Sequence, residues 1–108
     1  MKLASVNLDA EAVTAIYACP PGQRAIVTLT LCNRAAASAK VRVALTNGAA
    51  PADADWIEYD TPIPAAGSGS GSILQLSGLA LGAGQQIYAR ASAAGVGATV
   101  VGLEQAVA

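Results

Sequence analysis

From Arg24 onward the chain alternates with a period of two. Ala25, Val27, Leu29 and Leu31 fall on one face and Ile26, Thr28, Thr30 and Cys32 on the other, the spacing of a β-strand. Neither face of residues 24–33 is strongly polar, so both can be covered, and the pattern predicts a central strand of a sandwich sheet. Residues 40–46 alternate as clearly, with Val41, Val43 and Leu45 against Lys40, Arg42 and Thr46, which predicts a half-exposed strand. Shorter runs predict strands over residues 13–18, 56–60, 72–77, 86–91 and 98–105. Residues 1–11 read as either an edge strand, residues 3–8, or an N-terminal arm. Breakers punctuate the runs: Pro20-Pro21-Gly22, Asn47-Gly48, Pro51, Pro62, Pro64 and Gly82-Ala83-Gly84. Proline cannot donate to a ladder, and glycine supplies turn geometry. Residues 61–66 therefore read as an extended edge or connector, and residues 67–71, glycine and serine only, as a flexible surface loop. No stretch holds a 3.6-residue period over ten residues or more. The expected fold is all-β: a single antiparallel β-sandwich over residues 1–108, jelly-roll-like, with about seven or eight strands.

Composition adds an expectation of assembly. Of the 108 residues, 26 are Ala and 25 are Val, Ile or Leu, with no Phe, one Trp and three Tyr. Small side chains bury little area each, and at roughly 25 cal/mol per Å² an Ala-rich core offsets chain entropy poorly. Neighbouring copies are the expected remedy. The net charge of −1 creates no field that would draw in nucleic acid or an anionic membrane, and neither is expected as a partner. The first residues turn acidic too soon for a signal peptide, and no run approaches a membrane span, so synthesis in the cytoplasm is expected.

Candidate chemistry is sparse. There is no His, which removes the commonest general base and metal ligand and every Ser-His-Asp or Cys-His arrangement; no catalytic site and no cofactor are expected. Asp53, Asp55, Glu58 and Asp60 put four carboxylates in eight residues, a set that could ligate a hard cation, but the spacing is not that of an EF-hand and no metal is expected. Arg24, Arg34, Lys40 and Arg42 hold four of the six positive charges in the preceding segment. If the two segments lie on opposite flanks, copies can meet head to tail, with Arg34, Lys40 and Arg42 against Asp53, Asp55 and Asp60, in a contact that closes rings. The competing arrangement pairs these charges within one subunit.

The two cysteines are expected as free thiols. If residues 13–18 and 24–33 form a hairpin about Pro21-Gly22, Cys19 lies beside the turn and Cys32 near the far end, well beyond bridging distance. Cross-linking between subunits through Cys19 or Cys32 is the alternative. Tyr17, Trp56, Tyr59 and Tyr88 are the only aromatics; Trp56, Tyr59 and the loop 67–71 offer a second functional reading, as a receptor- or carbohydrate-binding module.

Taken in order, the corner Ile16-Tyr17-Ala18-Cys19-Pro20-Pro21-Gly22-Gln23, the run from Val27 ending in Cys32-Asn33-Arg34, then Lys40-Val41-Arg42-Val43-Ala44, then Trp56-Ile57-Glu58-Tyr59-Asp60-Thr61-Pro62-Ile63-Pro64, and finally Leu79 through Ala89 resemble the small all-β structural proteins of tailed bacteriophages. The resemblance runs from about Ala12 to Glu104. It implies a β-sandwich on the outside of a virion, in tail, baseplate, neck, fibre or head decoration, that works by copy number and fit. The implied partners are the chain itself, as a trimer or larger ring, and other virion proteins. Cys19 departs from the small or β-branched residue usual before the proline, and residues 67–71 replace a more ordinary turn.

Overall fold

The computed structural model describes residues 1–69 and 71–107; Ser70, within the predicted glycine-serine loop, lies outside the described residues. Eight strands follow one another: β1 (Lys2–Asn7), β2 (Thr14–Ala18), β3 (Gln23–Asn33), β4 (Ala39–Thr46), β5 (Trp56–Ile63), β6 (Ile73–Leu81), β7 (Gln86–Ala91) and β8 (Val96–Ala106), with a 3-10 turn at Asp53–Asp55 before β5. They form two four-stranded sheets, ordered β1-β8-β3-β6 (sheet A) and β2-β7-β4-β5 (sheet B). First pairs with last, second with seventh, third with sixth and fourth with fifth, all antiparallel. This is a four-rung hairpin rolled over on itself, so that β3 also meets β8 and β4 meets β7. That winding is a jelly roll, the expected class.

The alternation read along residues 24–33 is the one that folds. Ala25, Val27, Leu29 and Leu31 are buried to within 2% of complete, and their counterparts Val41, Val43, Ile87, Val96 and Val100 are wholly covered. Alanines 25, 39, 89, 91 and 98 complete the layer between the sheets.

Several elements differ from expectation, each for a local reason. Residues 13–18 and 24–33 do not form a hairpin: β2 belongs to sheet B and β3 to sheet A. Pro20 and Pro21 cannot extend the ladder. The end of β2 is instead tied to the β6–β7 turn, through Cys19 N–H to Gln85 O at 2.9 Å and Gly84 N–H to Cys19 O at 2.9 Å, and the chain crosses between sheets at the proline corner. β5 continues through Pro62 because it is an edge strand with a free side, where a missing donor costs no ladder bond. β6 continues through Gly78, which sits at φ +72° where the register against β3 shifts between Leu79 and Leu76: a bulge, which the sequence shows only as a gap between two short apolar runs. Residues 2–7 are an edge strand of sheet A and not a free arm.

Where β3 ends, Asn33 is completely buried. Its amide Nδ2 donates to the carbonyls of Ala37, Ile63 and Pro64 at 2.9, 3.2 and 3.3 Å, and its Oδ1 accepts from Ala35 N–H at 3.0 Å. One side chain thus holds both the β3–β4 and the β5–β6 connections.

Candidate functional site

The outward side of sheet A is built by the unburied half of the same alternation. Ile26 on β3 and Leu103 on β8 are direct cross-strand partners, with Ala80 of β6 on the other side of Ile26. They are 62% and 69% exposed. Val101 follows opposite Thr28, and Ile73 lies opposite Cys32 near the far end. Shallow depressions of about 560 and 540 Å³ flank the Ile26 side chain and share Arg24 and Gln105 in their walls. Exposed apolar residues are ordinary when scattered. Here two large ones stand side by side on the two central strands of the sheet.

Among the described residues, side-chain charge on this side has one sign. Lys2, Arg24 and Arg34 border it; Arg24 donates to Gln105 Oε1 at 3.0 Å and Arg34 to Asn7 Oδ1 at 2.7 Å. The only carboxylate in the strands of sheet A, Glu104, turns inward and accepts the Tyr17 hydroxyl at 2.5 Å, bridging the two sheets. Burial first, and the Glu104 carboxylate second, hold the Tyr17 phenol well above its ordinary titration range.

The outward side of sheet B is mixed. Arg42 and Arg90 lie directly opposite each other on β4 and β7, a like-charge pairing that costs stability by itself. Asp60 offsets it, receiving Arg42 Nε at 2.7 Å and Nη2 at 3.2 Å. Asp60 reaches that position through a left-handed φ of +53°, where β5 carries one more residue than β4. Hydrogen bonding from Arg42 is the main reason its carboxyl titrates below the usual range, with Lys40 and Arg90 adding to the effect. The Arg42 guanidinium also stacks on Tyr59, 4.0 Å from the ring centre, and Trp56 meets Tyr59 edge-on at 6.0 Å.

The sequence-based candidates therefore separate. Basic and acidic segments do not occupy opposite flanks: β4 and β5 are neighbouring strands, so charges that are apart in sequence become adjacent, and Arg42 and Asp60 pair within the chain. Lys40 shares that side, whereas Arg34 lies on the outward side of sheet A. Asp53 and Asp55 stand apart on the 3-10 turn, where Asp55 Oδ2 accepts Ala52 N–H at 2.9 Å. Glu58 accepts the Thr61 hydroxyl at 2.6 Å. The four carboxylates do not converge, and among the described residues no group of three or more His, Cys, Asp or Glu is placed to hold a metal ion.

Cys19 and Cys32 are both free, but they are not equivalent. Cys19 is 2% exposed, its thiol directed at Gln23 O and Leu81 O at 3.4 and 3.8 Å, and burial pushes its pKa up. Free thiols were the expectation; with Cys19 so enclosed, a cross-link between subunits, the alternative, would have to run through Cys32. Cys32 lies half-buried on the outward side of sheet A, in a groove with Ser5, Asn7 and Arg34. With a maleimide, one thiol per chain is expected to react in the folded but dissociated chain, at Cys32, and both after denaturation. Peptide mapping that finds Cys19 labelled in the folded protein would contradict the burial.

The apolar pair Ile26 and Leu103 was the residue set that spacing did not single out. Ile26 was visible on the second face of β3, but its partner was not, because Val100-Val101 places apolar residues on both faces of β8. The chain matches no family model, no curated protein and no solved structure.

Proposed function

We propose that this chain is a non-enzymatic structural subunit of a tailed-phage virion, which assembles with itself and decorates or joins a capsid, neck or tail component. The observation that carries the proposal is the outward side of sheet A: an apolar centre on the two middle strands, bordered by cations and left without cover by the chain itself. Burying such a centre against a neighbour supplies the apolar area that an alanine-rich interior lacks. The resemblance in the order of segments to small phage structural proteins favours the same reading.

Light scattering over a range of protein concentrations tests it. A discrete trimer or larger ring is expected, and Ile26→Asp is expected to return the chain to monomer while its far-ultraviolet circular dichroism stays unchanged. A wild-type monomer at every concentration would remove self-assembly from the proposal. The second reading, a carbohydrate- or receptor-binding module, draws on the exposed Tyr59 ring beside Trp56 and Arg42. It requires glycan-array or cell-envelope binding that Tyr59→Ala abolishes and Ile26→Asp does not.

A further inference from the structure

Resting on that self-assembly reading, we infer that the outward side of sheet A receives the β5 edge of a second copy, in a head-to-tail contact. The receiving side is long enough to take that edge. At about 3.3 Å per residue and 4.8 Å between strands, the 11-residue strands β3 and β8 with their neighbours span roughly 36 by 19 Å. That is about 700 Å² of receiving surface, of which one strand edge of another copy covers a part.

The sign of charge selects the occupant. A symmetric pairing of two sheet A sides sets cations against cations whichever way the two-fold axis runs. With the axis along the strands, the Arg24 end meets the Arg24 end; with the axis across them, it meets the Arg34 end. The occupant must instead be apolar and acidic. Such a surface lies where the 3-10 turn leads into β5, ahead of the point where Arg42 covers the Tyr59 ring. Asp53 and Asp55 stand there with no ion pair among the described residues, and Ile57 and Tyr59 follow at 44% and 58% exposed. β5 is an edge strand of eight residues, about 26 Å long at 3.3 Å per residue, which fits within the length of β3. Each copy then has one donor edge and one receiving side. Such a contact closes as a ring where the rotation between copies divides a full turn, and otherwise extends as a filament.

The test is charge exchange in the full chain, read as solution mass. Arg24→Glu with Arg34→Glu is expected to weaken association at least about tenfold, as is Asp53→Lys with Asp55→Lys, because each sets like charges together. The chain carrying all four substitutions restores opposite signs at the contact and is expected to regain the wild-type mass. If the wild type assembles but either pair of reversals leaves its mass unchanged, or the fourfold variant fails to recover while retaining its circular dichroism, this contact is wrong and self-assembly stands. If the wild type does not assemble, both fall.

Discussion

Replacing Gly102 by valine is expected to lower the unfolding temperature by more than any exposed substitution in the chain. Gly102 lies opposite Val27 in the β8–β3 ladder, and its N–H donates to Met1 O at 2.8 Å. A Cβ at this position would overlap the Ile26 carbonyl oxygen and lie 2.8 Å from Val27 Cα. Both obstacles are backbone of the central strand, which is paired on its other side to β6 and cannot give way without breaking that ladder as well. The cost belongs at or above the upper end of overpacking, about 3 kcal/mol, against a total of roughly 5–15 kcal/mol for a small domain. At roughly 4–8 °C per kcal/mol, thermal unfolding should shift by 12 °C or more in this order-of-magnitude estimate. Gly97→Ala, on the same strand, is the control: its Cβ would meet Asn7 Oδ1 at an ordinary 3.6 Å, and a change within about 1 kcal/mol is expected. Equal melting of the two variants would show that β3 and β8 do not approach as described.

Gly102 also marks what the sequence could not disclose. The alternation of residues 24–33 was legible because burial on one side of a strand imposes a period of two; along 40–46 the exposed half holds only at Lys40 and Arg42, since Ala44 and Thr46, on the side read as open, are buried as well. It revealed which residues face inward but not which strand lies beside which. A hairpin about Pro21-Gly22 and a crossover between sheets place the same residues inward, so the jelly-roll winding was open until β2 was seen to pair with β7. Bulges were hidden for a related reason. One extra residue, at Gly78 in β6 or around Asp60 in β5, breaks the period and reads as the end of a strand. The charges were legible as a segregated pattern, yet folding adjacent segments into adjacent strands interleaved them. What survives of the charge argument is the set that escaped pairing, Asp53 and Asp55 on the 3-10 turn and the cations bordering sheet A.

The two sides of β3 also divide the labour of the fold. Its inward residues meet sheet B and close the core, while Ile26, Thr28 and Thr30 form an outer surface that the described residues leave partly open. In a monomer that surface is an aggregation hazard. In a ring with a fixed contact it is buried, and the same alternation that specifies the strand then specifies the assembly.

Asn33→Asp is expected to be the most destabilising isosteric change, and its cost should depend on pH. The wild-type amide supplies the donors for three backbone carbonyls at the junction of two loops, entirely out of contact with water. A carboxylate there has the same shape but no hydrogen to give, and it places a negative charge against three oxygen dipoles. An uncompensated buried charge costs about 3–5 kcal/mol, enough to unfold a marginal domain at neutral pH. Protonation relieves both problems in part, since a carboxylic acid regains one donor and sheds the charge. The folded state therefore holds this carboxyl above its unfolded value of about 3.9. The sign follows from linkage. Above about pH 3.9 the unfolded state releases its proton more readily than the folded state, so stability falls as pH rises, until the folded pKa is passed and the deficit levels off. Urea unfolding should show a gap between variant and wild type that is largest near pH 7 and narrows towards pH 4. Asn33→Ala removes the donors without adding charge, and its gap should be independent of pH. If the Asp variant shows a flat gap no larger than that of the Ala variant, water reaches these carbonyls and the buried amide is not what joins the two loops.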